Sequence, residues 1–269
     1  MKRSLFSVVA VIAVMGLVLS CTGKDSGQDK SLQTILDRGV LVMGLDDSFP
    51  PMGFRNENNE IVGYDVDLAK EVASRMGVEL RLQPIDWNAK EQELNTGKID
   101  CIWNGFTITP ARAEMISFTK PYLKNAQVVV VKDGSSFNSL ADLAGRRVGL
   151  QAGSSAAEAL EGATEFRASI RSVVEFRENL TALMDLEIGG VDAVIMDLMV
   201  ANDNINRSGK PYRILSETLS PEDYGIGFRK KDLALTNKVQ EILEEMAADG
   251  TLARITISWF GADISVVGR

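Results

Sequence analysis

The stretch WNGFTITPAR, residues 103–112, places polar side chains where a predicted buried strand ends. Thr109 is suited to cap a helix that begins at Pro110, a residue favoured at the first helical position. Arg112 then lies in the first turn, where a cation opposes the helix dipole and an anion is favoured. Free backbone N–H groups beside one guanidinium can hold a carboxylate. The stretch therefore predicts either a carboxylate site or a surface loop with a solvated arginine.

Two other predicted strand ends carry polar residues of similar kinds. GSSAAE (153–158) follows a strand, and Ser154 or Ser155 begins a helix there. The N–H groups at that helix start are suited to an anion, although ordinary capping also explains the serines. Asp197 follows the apolar run VDAVIM and is either the N-cap of the next helix or a seat for a cation. Both alternatives stand for each of these residues.

Acidic and aromatic residues follow the first predicted strand, GVLVMGL (39–45). Asp46, Asp47 and Phe49 come directly after it, and Trp87 begins the second predicted helix. Two acids and two aromatic rings fit a pocket for a ligand side chain, in which the rings form apolar walls. The alternative is that Phe49 and Trp87 are ordinary core residues.

The charges of these strand ends are complementary. Arg112 and the nearby N–H groups suit a carboxylate, whereas Asp197 suits an ammonium group. A free amino acid carries both charges on one carbon, so it would bridge the two sites. Such a ligand favours a closed arrangement only if it binds that arrangement better than an open one.

Composition argues against several other classes of function. The chain of 269 residues has a formal net charge of −8, which disfavours a nucleic-acid partner because phosphate recognition needs basic surface. It contains no histidine, so the commonest general base and most zinc ligand sets are missing. The two cysteines, Cys21 and Cys101, form no metal motif. We expect no cofactor, no metal and no catalytic residue.

The N-terminus has the features of an export signal. Two basic residues precede the apolar run LFSVVAVIAVMGLVLS, which is short for a membrane-spanning helix. Ser20 before Cys21 resembles the lipobox of bacterial lipoproteins, which predicts a signal peptide over 1–20 and lipidation of Cys21. Residues 21–31 would then be a lipidated, flexible tether. An ordinary signal peptide or an uncleaved anchor is the alternative.

Predicted strands and helices alternate along the rest of the chain. Apolar residues recur at helical spacing in 64–77 and 232–250, and a glycine ends each pattern. Helices of this size between strands imply an α/β fold with mostly parallel sheets. The segments LNTGKIDCIWN (94–104) and LEIGGVDAVIM (186–196) share the frame Leu-x-x-Gly-x-(Ile/Val)-Asp. This echo predicts two similar lobes, and ligands gather where parallel strands end.

Four segments together resemble those of one known family: GYDVDLAKEV (63–72), GKIDCIWNGFTITPARAEMISFTKPY (97–122), LADLAGRRVGLQAGSS (140–155) and EEMAADGTLARITISWF (244–260). The family is the bacterial extracellular solute-binding proteins of the polar amino-acid group, family 3, here in lipoprotein form. The resemblance implies a two-lobed periplasmic-binding-protein type II fold, with a mostly parallel sheet flanked by helices in each lobe and two crossover strands between them. Lobe 1 would comprise 32–123 and 224–269, and lobe 2 would comprise 124–223.

The resemblance also implies roles for individual residues. Arg112 would clamp the α-carboxylate of an amino acid with help from Ser155, and Asp197 would bind the ammonium group. Thr107 would contact both groups, and the carbonyl of Gly105 would accept a hydrogen bond from the ammonium. The other residues expected to bind the ligand are Asp46, Phe49, Trp87, Asn104, Phe106 and Ser154.

The implied function is capture of a free polar or basic amino acid for the permease and ATPase of an ABC importer. Asp46 favours a ligand side chain with hydrogen-bond donors, whereas the aromatic rings also suit cystine. An enzyme similar to prephenate or arogenate dehydratases is another alternative, although Asp197 would repel a dicarboxylate; a sensory module that feeds a separate receptor is a third. We expect a monomer, lipid-anchored in the cell envelope on the periplasmic or extracytoplasmic face of the membrane.

Overall fold

The computed structural model describes residues 29–269, so the predicted signal peptide (1–20) and Cys21 lie outside the described residues. The helices are α1 (Ser31–Arg38), α2 (Tyr64–Met76), α3 (Lys90–Asn95), α4 (Pro110–Met115), α5 (Ser155–Gly162), α6 (Thr164–Ser169), α7 (Asn179–Ile188), α8 (Leu198–Ser208), α9 (Leu233–Ala248) and α10 (Thr251–Phe260). The strands are β1 (Val40–Leu45), β2 (Ser48–Phe49), β3 (Gly53–Arg55), β4 (Ile61–Val62), β5 (Glu79–Pro84), β6 (Cys101–Ile102), β7 (Ile116–Phe118), β8 (Leu123–Lys132), β9 (Arg147–Gln151), β10 (Ser172–Phe176), β11 (Ala193–Asp197), β12 (Tyr212–Tyr224) and β13 (Gly227–Arg229).

Two five-stranded sheets form the centres of two lobes, as the sequence predicts. The first sheet has the order β5-β1-β6-β13-β7, in which β5, β1 and β6 are parallel and β13 is antiparallel to both of its neighbours. The second has the order β10-β9-β11-β8-β12, in which β10, β9 and β11 are parallel and β8 is antiparallel to both of its neighbours. Each sheet therefore has four strands that run in one direction and one strand, β13 or β8, that runs against them.

Helices on both faces of these sheets explain the uninterrupted apolar runs of the central strands. β1 and β11 are buried along nearly their whole length, as expected for strands covered on both sides. α2 and α9 bury the apolar faces that their periodicity predicts, including Val72, Leu235 and Val239. Cys101 is fully buried in β6, in agreement with an inert core thiol.

Two long strands carry the chain between the lobes. β8 begins at Leu123, shortly after β7 of the first sheet, and β12 ends at Tyr224, shortly before β13 of the first sheet. The two strands pair antiparallel along most of their length, from Lys132 with Tyr212 to Leu123 with Tyr224. The predicted pair of crossover strands is therefore present, and the junctions of the lobes lie side by side.

Element boundaries differ from the predictions in particular places. The second predicted helix, expected to begin at Trp87, is Lys90–Asn95. A 3-10 turn begins at Trp87 instead, because the side chain of Asp86 caps that turn. α9 does end just before Gly250, which has φ of 80°, as predicted, but α10, which begins at Thr251, was not predicted. The small sheet of β2, β3 and β4 was not predicted. None of the helices within 29–269 is both long enough and apolar enough to cross a bilayer.

Candidate functional site

The turn after β6 has a backbone conformation that only glycine tolerates well. Gly105 has φ of 55°, and a Cβ there would lie 2.9 Å from the ring of Phe49 and 3.1 Å from the ring of Tyr224. The carboxylate of Asp65 accepts a hydrogen bond from the Gly105 N–H at 2.7 Å, and burial raises the pKa of Asp65 to about 7. Asn104 Oδ1 accepts from the N–H of Asp46 at 3.1 Å, which joins the ends of β6 and β1. Asn104 therefore holds two strand ends together.

Arg112 is a buried guanidinium in α4, only 6% exposed. Pro110 begins the helix and Thr109 caps it, because the Arg112 N–H donates to Thr109 Oγ1 at 3.3 Å. The guanidinium donates to the carbonyls of Thr107 at 3.0 Å and Gly153 at 3.2 Å, and its carbon lies 4.7 Å from the centre of the Phe106 ring. It forms no salt bridge with any carboxylate in residues 29–269.

Burial lowers the pKa of Arg112, since desolvation disfavours its charged form. A guanidinium remains charged at physiological pH even so. A buried cation is stabilised by an anion placed beside it. The solvated-arginine interpretation is therefore wrong, and the surroundings of Arg112 suit a carboxylate.

Lys90 is a second buried cation at the same place, which the sequence analysis missed. Its Nζ donates to the Gly153 carbonyl at 2.7 Å, and its side chain forms a salt bridge with Glu91 at 3.1 Å. The residue is 2% exposed, and burial followed by repulsion from Arg112 lowers its pKa to about 8. No local sequence pattern distinguishes a buried lysine in the first turn of a helix from a solvated lysine at the same position. Arg112 is thus not the only base in this region.

The start of α5 brings lobe 2 into contact with lobe 1. Ser154 occupies the N-cap position, but its hydroxyl donates to the Gln151 carbonyl at 2.7 Å and does not cap the helix. The hydroxyls of Ser155 and Thr107 are 3.1 Å apart, so they join the two lobes directly. Gln127 donates to Ser155 Oγ at 3.2 Å. Ser155 therefore faces the Thr107 turn, whereas the Ser154 hydroxyl is turned back toward its own chain.

Asp197 lies at the end of β11 and is 4% exposed. It occupies the N-cap position of α8 without making a side-chain capping hydrogen bond. Its Oδ1 instead accepts from the Tyr224 hydroxyl at 2.6 Å and from Asn125 Nδ2 at 2.7 Å. Burial, followed by repulsion from Glu222, raises the pKa of Asp197 to about 7. Of the two alternatives for Asp197, the geometry favours a cation seat over capping.

The acid of the predicted side-chain pocket also links the lobes. Asp46 Oδ2 accepts from Gln151 Nε2 at 2.7 Å, and Gln151 Oε1 accepts from Asn179 Nδ2 at 2.9 Å. Burial raises the pKa of the Asp46 carboxyl. Gln151 and Asn179 were missed by the sequence analysis, because a glutamine at the end of β9 and an asparagine at the start of α7 have no distinguishing pattern.

The three predicted aromatic residues lie in two places near the strand ends of lobe 1. The rings of Trp87 and Phe106 meet edge to face with centroids 5.8 Å apart, and Phe106 lies under Arg112. Phe49 contacts the Gly105 turn. All three rings are buried, but Phe49 belongs to one core cluster and Trp87 and Phe106 belong to another. They therefore pack as core residues do.

Glu222, on the crossover strand β12, is the most informative residue that the sequence analysis missed. Its Oε2 accepts hydrogen bonds from Thr107 Oγ1 at 3.0 Å, Gln127 Nε2 at 3.0 Å and Asn125 Nδ2 at 3.1 Å. A cavity of about 590 Å³ opens beside it, lined in part by Thr107, Asn125, Ser155 and Glu222. Glu222 lies in the segment PEDYG, and nothing in that segment predicts a buried hydrogen-bond acceptor between the lobes.

The structure therefore brings four of the predicted residues, Asp46, Thr107, Arg112 and Ser155, into contacts between the lobes. Charge of both signs is concentrated there, with Arg112 and Lys90 on lobe 1 and Asp197 at the strand end of lobe 2. Hydroxyl and amide donors lie between them. Such an arrangement can hold a small molecule that carries a carboxylate and an ammonium close together.

Comparison with known proteins places the chain in a family. The model of the bacterial extracellular solute-binding proteins, family 3, matches residues 41–262. The L-cystine-binding protein TcyJ of Escherichia coli is 28% identical over 98% of this chain and 97% of its own length. The crystal structure of Tv2483 bound to L-arginine has a TM-score of 0.87 and 34% identity, covering 90% of this chain and 99% of that chain. A substrate-binding protein of an ABC uptake transporter from Streptococcus pneumoniae, with bound histidine, has a TM-score of 0.86 and 32% identity over 88% of this chain and 98% of its own. The chain belongs to the bacterial extracellular solute-binding proteins of family 3.

Proposed function

We propose that this protein captures a free polar or basic amino acid between its two lobes and delivers it to an ABC importer. The observation that carries the proposal is the buried guanidinium of Arg112, which makes no salt bridge within residues 29–269, in a cleft whose other lobe presents Asp197. Relatives named for binding cystine and arginine, and one solved with bound histidine, support the same class of ligand.

The ligand's carboxylate would bind Arg112, with Thr107 and Ser155 as further donors. Its ammonium would bind Asp197 and the carbonyl of Gly105. Charge-assisted hydrogen bonds contribute about 1.5–3 kcal/mol each. A few of them, less the cost of ordering and closure, reach the roughly −8 kcal/mol of a micromolar complex. Contacts to both lobes at once would favour the closed arrangement.

The side-chain end of the site favours a ligand with hydrogen-bond donors. Asp46 is buried and already accepts from Gln151, so an amide or a cation can replace or join that donor. Cystine is the second candidate, since the packed rings of Trp87 and Phe106 offer an apolar surface beside Arg112 and the Escherichia coli relative is named for cystine. The acids Asp197 and Glu222 both disfavour a dicarboxylate substrate of the dehydratase type, so we propose binding and not catalysis.

Membrane attachment would come from the N-terminus. We propose removal of residues 1–20 and acylation of Cys21, with residues 21–31 as a tether, lobe 1 over 32–123 and 224–269, and lobe 2 over 124–223. The protein would then act as a monomer on the extracytoplasmic face of the membrane. Mass spectrometry of the N-terminal peptide tests this directly: a diacylglyceryl mass on Cys21 is expected, and Cys21→Ala should release the protein from the membrane fraction.

A thermal-shift screen tests the function. The twenty amino acids, cystine and ornithine would each be added to the purified protein. A ligand at about 100 times its dissociation constant adds about 2.7 kcal/mol of stability. We expect arginine, another polar amino acid or cystine to raise the melting temperature. A flat response to all of them, confirmed by calorimetry, would refute amino-acid binding.

A further inference from the structure

Glu222 occupies a position that touches both lobes. It lies on β12 as that strand returns to lobe 1, and its Oε2 is the acceptor for three side chains. Thr107 belongs to the turn after β6, whereas Asn125 and Gln127 belong to β8. A carboxylate that accepts three donors is held firmly in one place.

Asn125 brings Glu222 next to Asp197. Its Nδ2 donates to Asp197 Oδ1 at 2.7 Å and to Glu222 Oε2 at 3.1 Å, so the two acids share one amide group. Tyr224 donates to the same Asp197 oxygen at 2.6 Å. Two carboxylates this close repel each other when both are ionised.

The other charged groups around the pair are few and identifiable. Arg112 is the cation that acts on Asp197. The cavity beside Glu222 is lined by three more charged residues, Lys124, Glu158 and Asp223. With Arg112, these are two bases and two acids, so the negative charges of the pair itself have no matching positive charge around them. A ligand cation would supply that charge.

We propose that Asp197 and Glu222 together form a two-carboxylate seat for the ligand's α-ammonium group, so that Glu222 selects for the ligand and binding releases a proton. The inference rests on the proposed amino-acid binding and extends it to a residue and a proton equilibrium of the same site. Before binding, the Asp197 carboxyl carries a proton below about pH 7, because burial and the neighbouring Glu222 raise its pKa. The ammonium group of the ligand stabilises the ionised carboxylate, so the proton is released to water when the ligand binds.

The direction of the pH dependence follows from this exchange. Burial and Glu222 raise the pKa of Asp197 to about 7, so the carboxyl is largely protonated below that pH. The ammonium pairs with the ionised form, which lowers the pKa in the complex. Affinity should therefore rise as pH increases toward 7 and level off above it, by up to tenfold for each pH unit.

Calorimetry with L-arginine and with L-cystine tests the seat. At pH 6.5, binding to the wild-type protein should release protons, seen as a difference in heat between phosphate and Tris buffers. Glu222→Gln should weaken binding at pH 8 by roughly tenfold to a hundredfold, the loss expected for one charge-assisted hydrogen bond. The difference in affinity between Glu222→Gln and the wild-type protein should shrink as pH falls, because Asp197 is then protonated in the wild-type protein.

Asp223→Asn is the matched control. It removes one carboxylate from the neighbouring position of the same strand, and within residues 29–269 that carboxylate makes no hydrogen bond to Thr107, Asn125 or Gln127. We expect its affinity and proton release to equal those of the wild-type protein. An unchanged affinity in Glu222→Gln would overturn the seat, and a tighter affinity would show instead that Glu222 competes with the ligand's carboxylate for Thr107.

A second measurement needs no amino acid. Because the Asp197 carboxyl has a raised pKa in the folded protein, stability should decline as pH rises from about 4 to about 7. Glu222→Gln should reduce the fall in melting temperature between pH 5 and pH 8, whereas Asp223→Asn should not. An equal fall in all three proteins would refute the acid pair. If neither probe nor any of the twenty amino acids binds, the proposed function fails, and this measurement still decides whether Glu222 raises the pKa of Asp197.

Discussion

The two lobes repeat one junction and use it for different chemistry. In lobe 1, Gly97 adopts φ of 76° and Asp100 Oδ2 accepts from the Val42 N–H of β1 at 2.8 Å. In lobe 2, Gly189 adopts φ of 83° and an Asp192 carboxylate oxygen accepts from the Arg147 N–H of β9 at 2.9 Å. In each lobe, the aspartate that precedes one strand therefore accepts a backbone hydrogen bond from the strand beside it.

The repeated junctions diverge at the far ends of the strands that follow them. β6 leads to Arg112, which suits an anion, whereas β11 ends at Asp197, which suits a cation. The two lobes therefore share the glycine–aspartate junction that positions their strands. They differ in the residues that follow those strands, which place a cation in lobe 1 and an acid in lobe 2.

Loss of the cationic half should have the largest effect. Arg112→Ala should leave a folded protein but weaken amino-acid binding by about 3–5 kcal/mol, the usual cost of breaking a buried charge pair. Isothermal calorimetry with the best ligand of the thermal-shift screen measures it. Arg146→Ala is the control, since Arg146 also lies over a phenylalanine ring, 5.2 Å from the centre of Phe137, but is exposed. Near-native affinity in Arg112→Ala would exclude the carboxylate role.

The two junction aspartates should differ in their effect on stability. The side chain of Asp100 is 3% exposed and contacts Arg38 and Arg229, whereas that of Asp192 is 24% exposed and lies 3.6 Å from Arg147. Asp100→Ala should therefore lower the free energy of unfolding by about 3 kcal/mol, and Asp192→Ala by only about 1 kcal/mol. Urea denaturation compares them, and equal losses would show that burial does not separate the two junctions.

Loss of the anionic half should separate binding from stability. Asp197→Asn should weaken binding at pH 8 by about 2 kcal/mol, because it removes a charged acceptor. The same change should not lower the melting temperature at pH 8, since the ionised Asp197 carboxylate, with its pKa raised to about 7, is unfavourable when buried. Parallel calorimetry and thermal unfolding test both effects. A lower melting temperature with unchanged affinity would restore the interpretation of Asp197 as a helix cap.

The smallest effect belongs to the two junction glycines. A Cβ on Gly97 or Gly189 would meet no atom within 4 Å, so only the positive φ disfavours alanine. Gly97→Ala and Gly189→Ala should each cost about 1 kcal/mol of stability, with ligand affinity unchanged. Chemical denaturation and calorimetry measure these. Clearly different losses of stability in the two variants would show that the two turns are not equivalent.

The sequence predicts the architecture well because that information is local. Helical periodicity placed α2 and α9, and apolar runs placed β1 and β11. Capping chemistry placed α4, with Thr109 and Pro110 in their expected roles. The boundary of α3 was wrong, because the Asp86 cap turns the chain into a 3-10 turn before the helix begins.

The residues missed in the site have a common physical cause. Glu222 meets Thr107 across 115 positions of sequence, Gln151 meets Asp46 across 105, and Lys90 meets Gly153 across 63. Contacts between residues so far apart depend on how two folded lobes face each other, and no local pattern records that. Nothing in the local sequence marks these residues as unusual: they are a glutamate in a strand, a glutamine at a strand end and a lysine in the first turn of a helix.

By itself, the sequence determined the α/β class, the repeated junction and the strand ends that carry Arg112 and Asp197, since turns, caps and periodicity follow from neighbouring residues. Only the tertiary structure decided that the Arg112 guanidinium is buried without a carboxylate partner in residues 29–269 and that Asp197 shares an amide donor with Glu222. The reason is that desolvation and charge pairing depend on which groups surround a side chain in space.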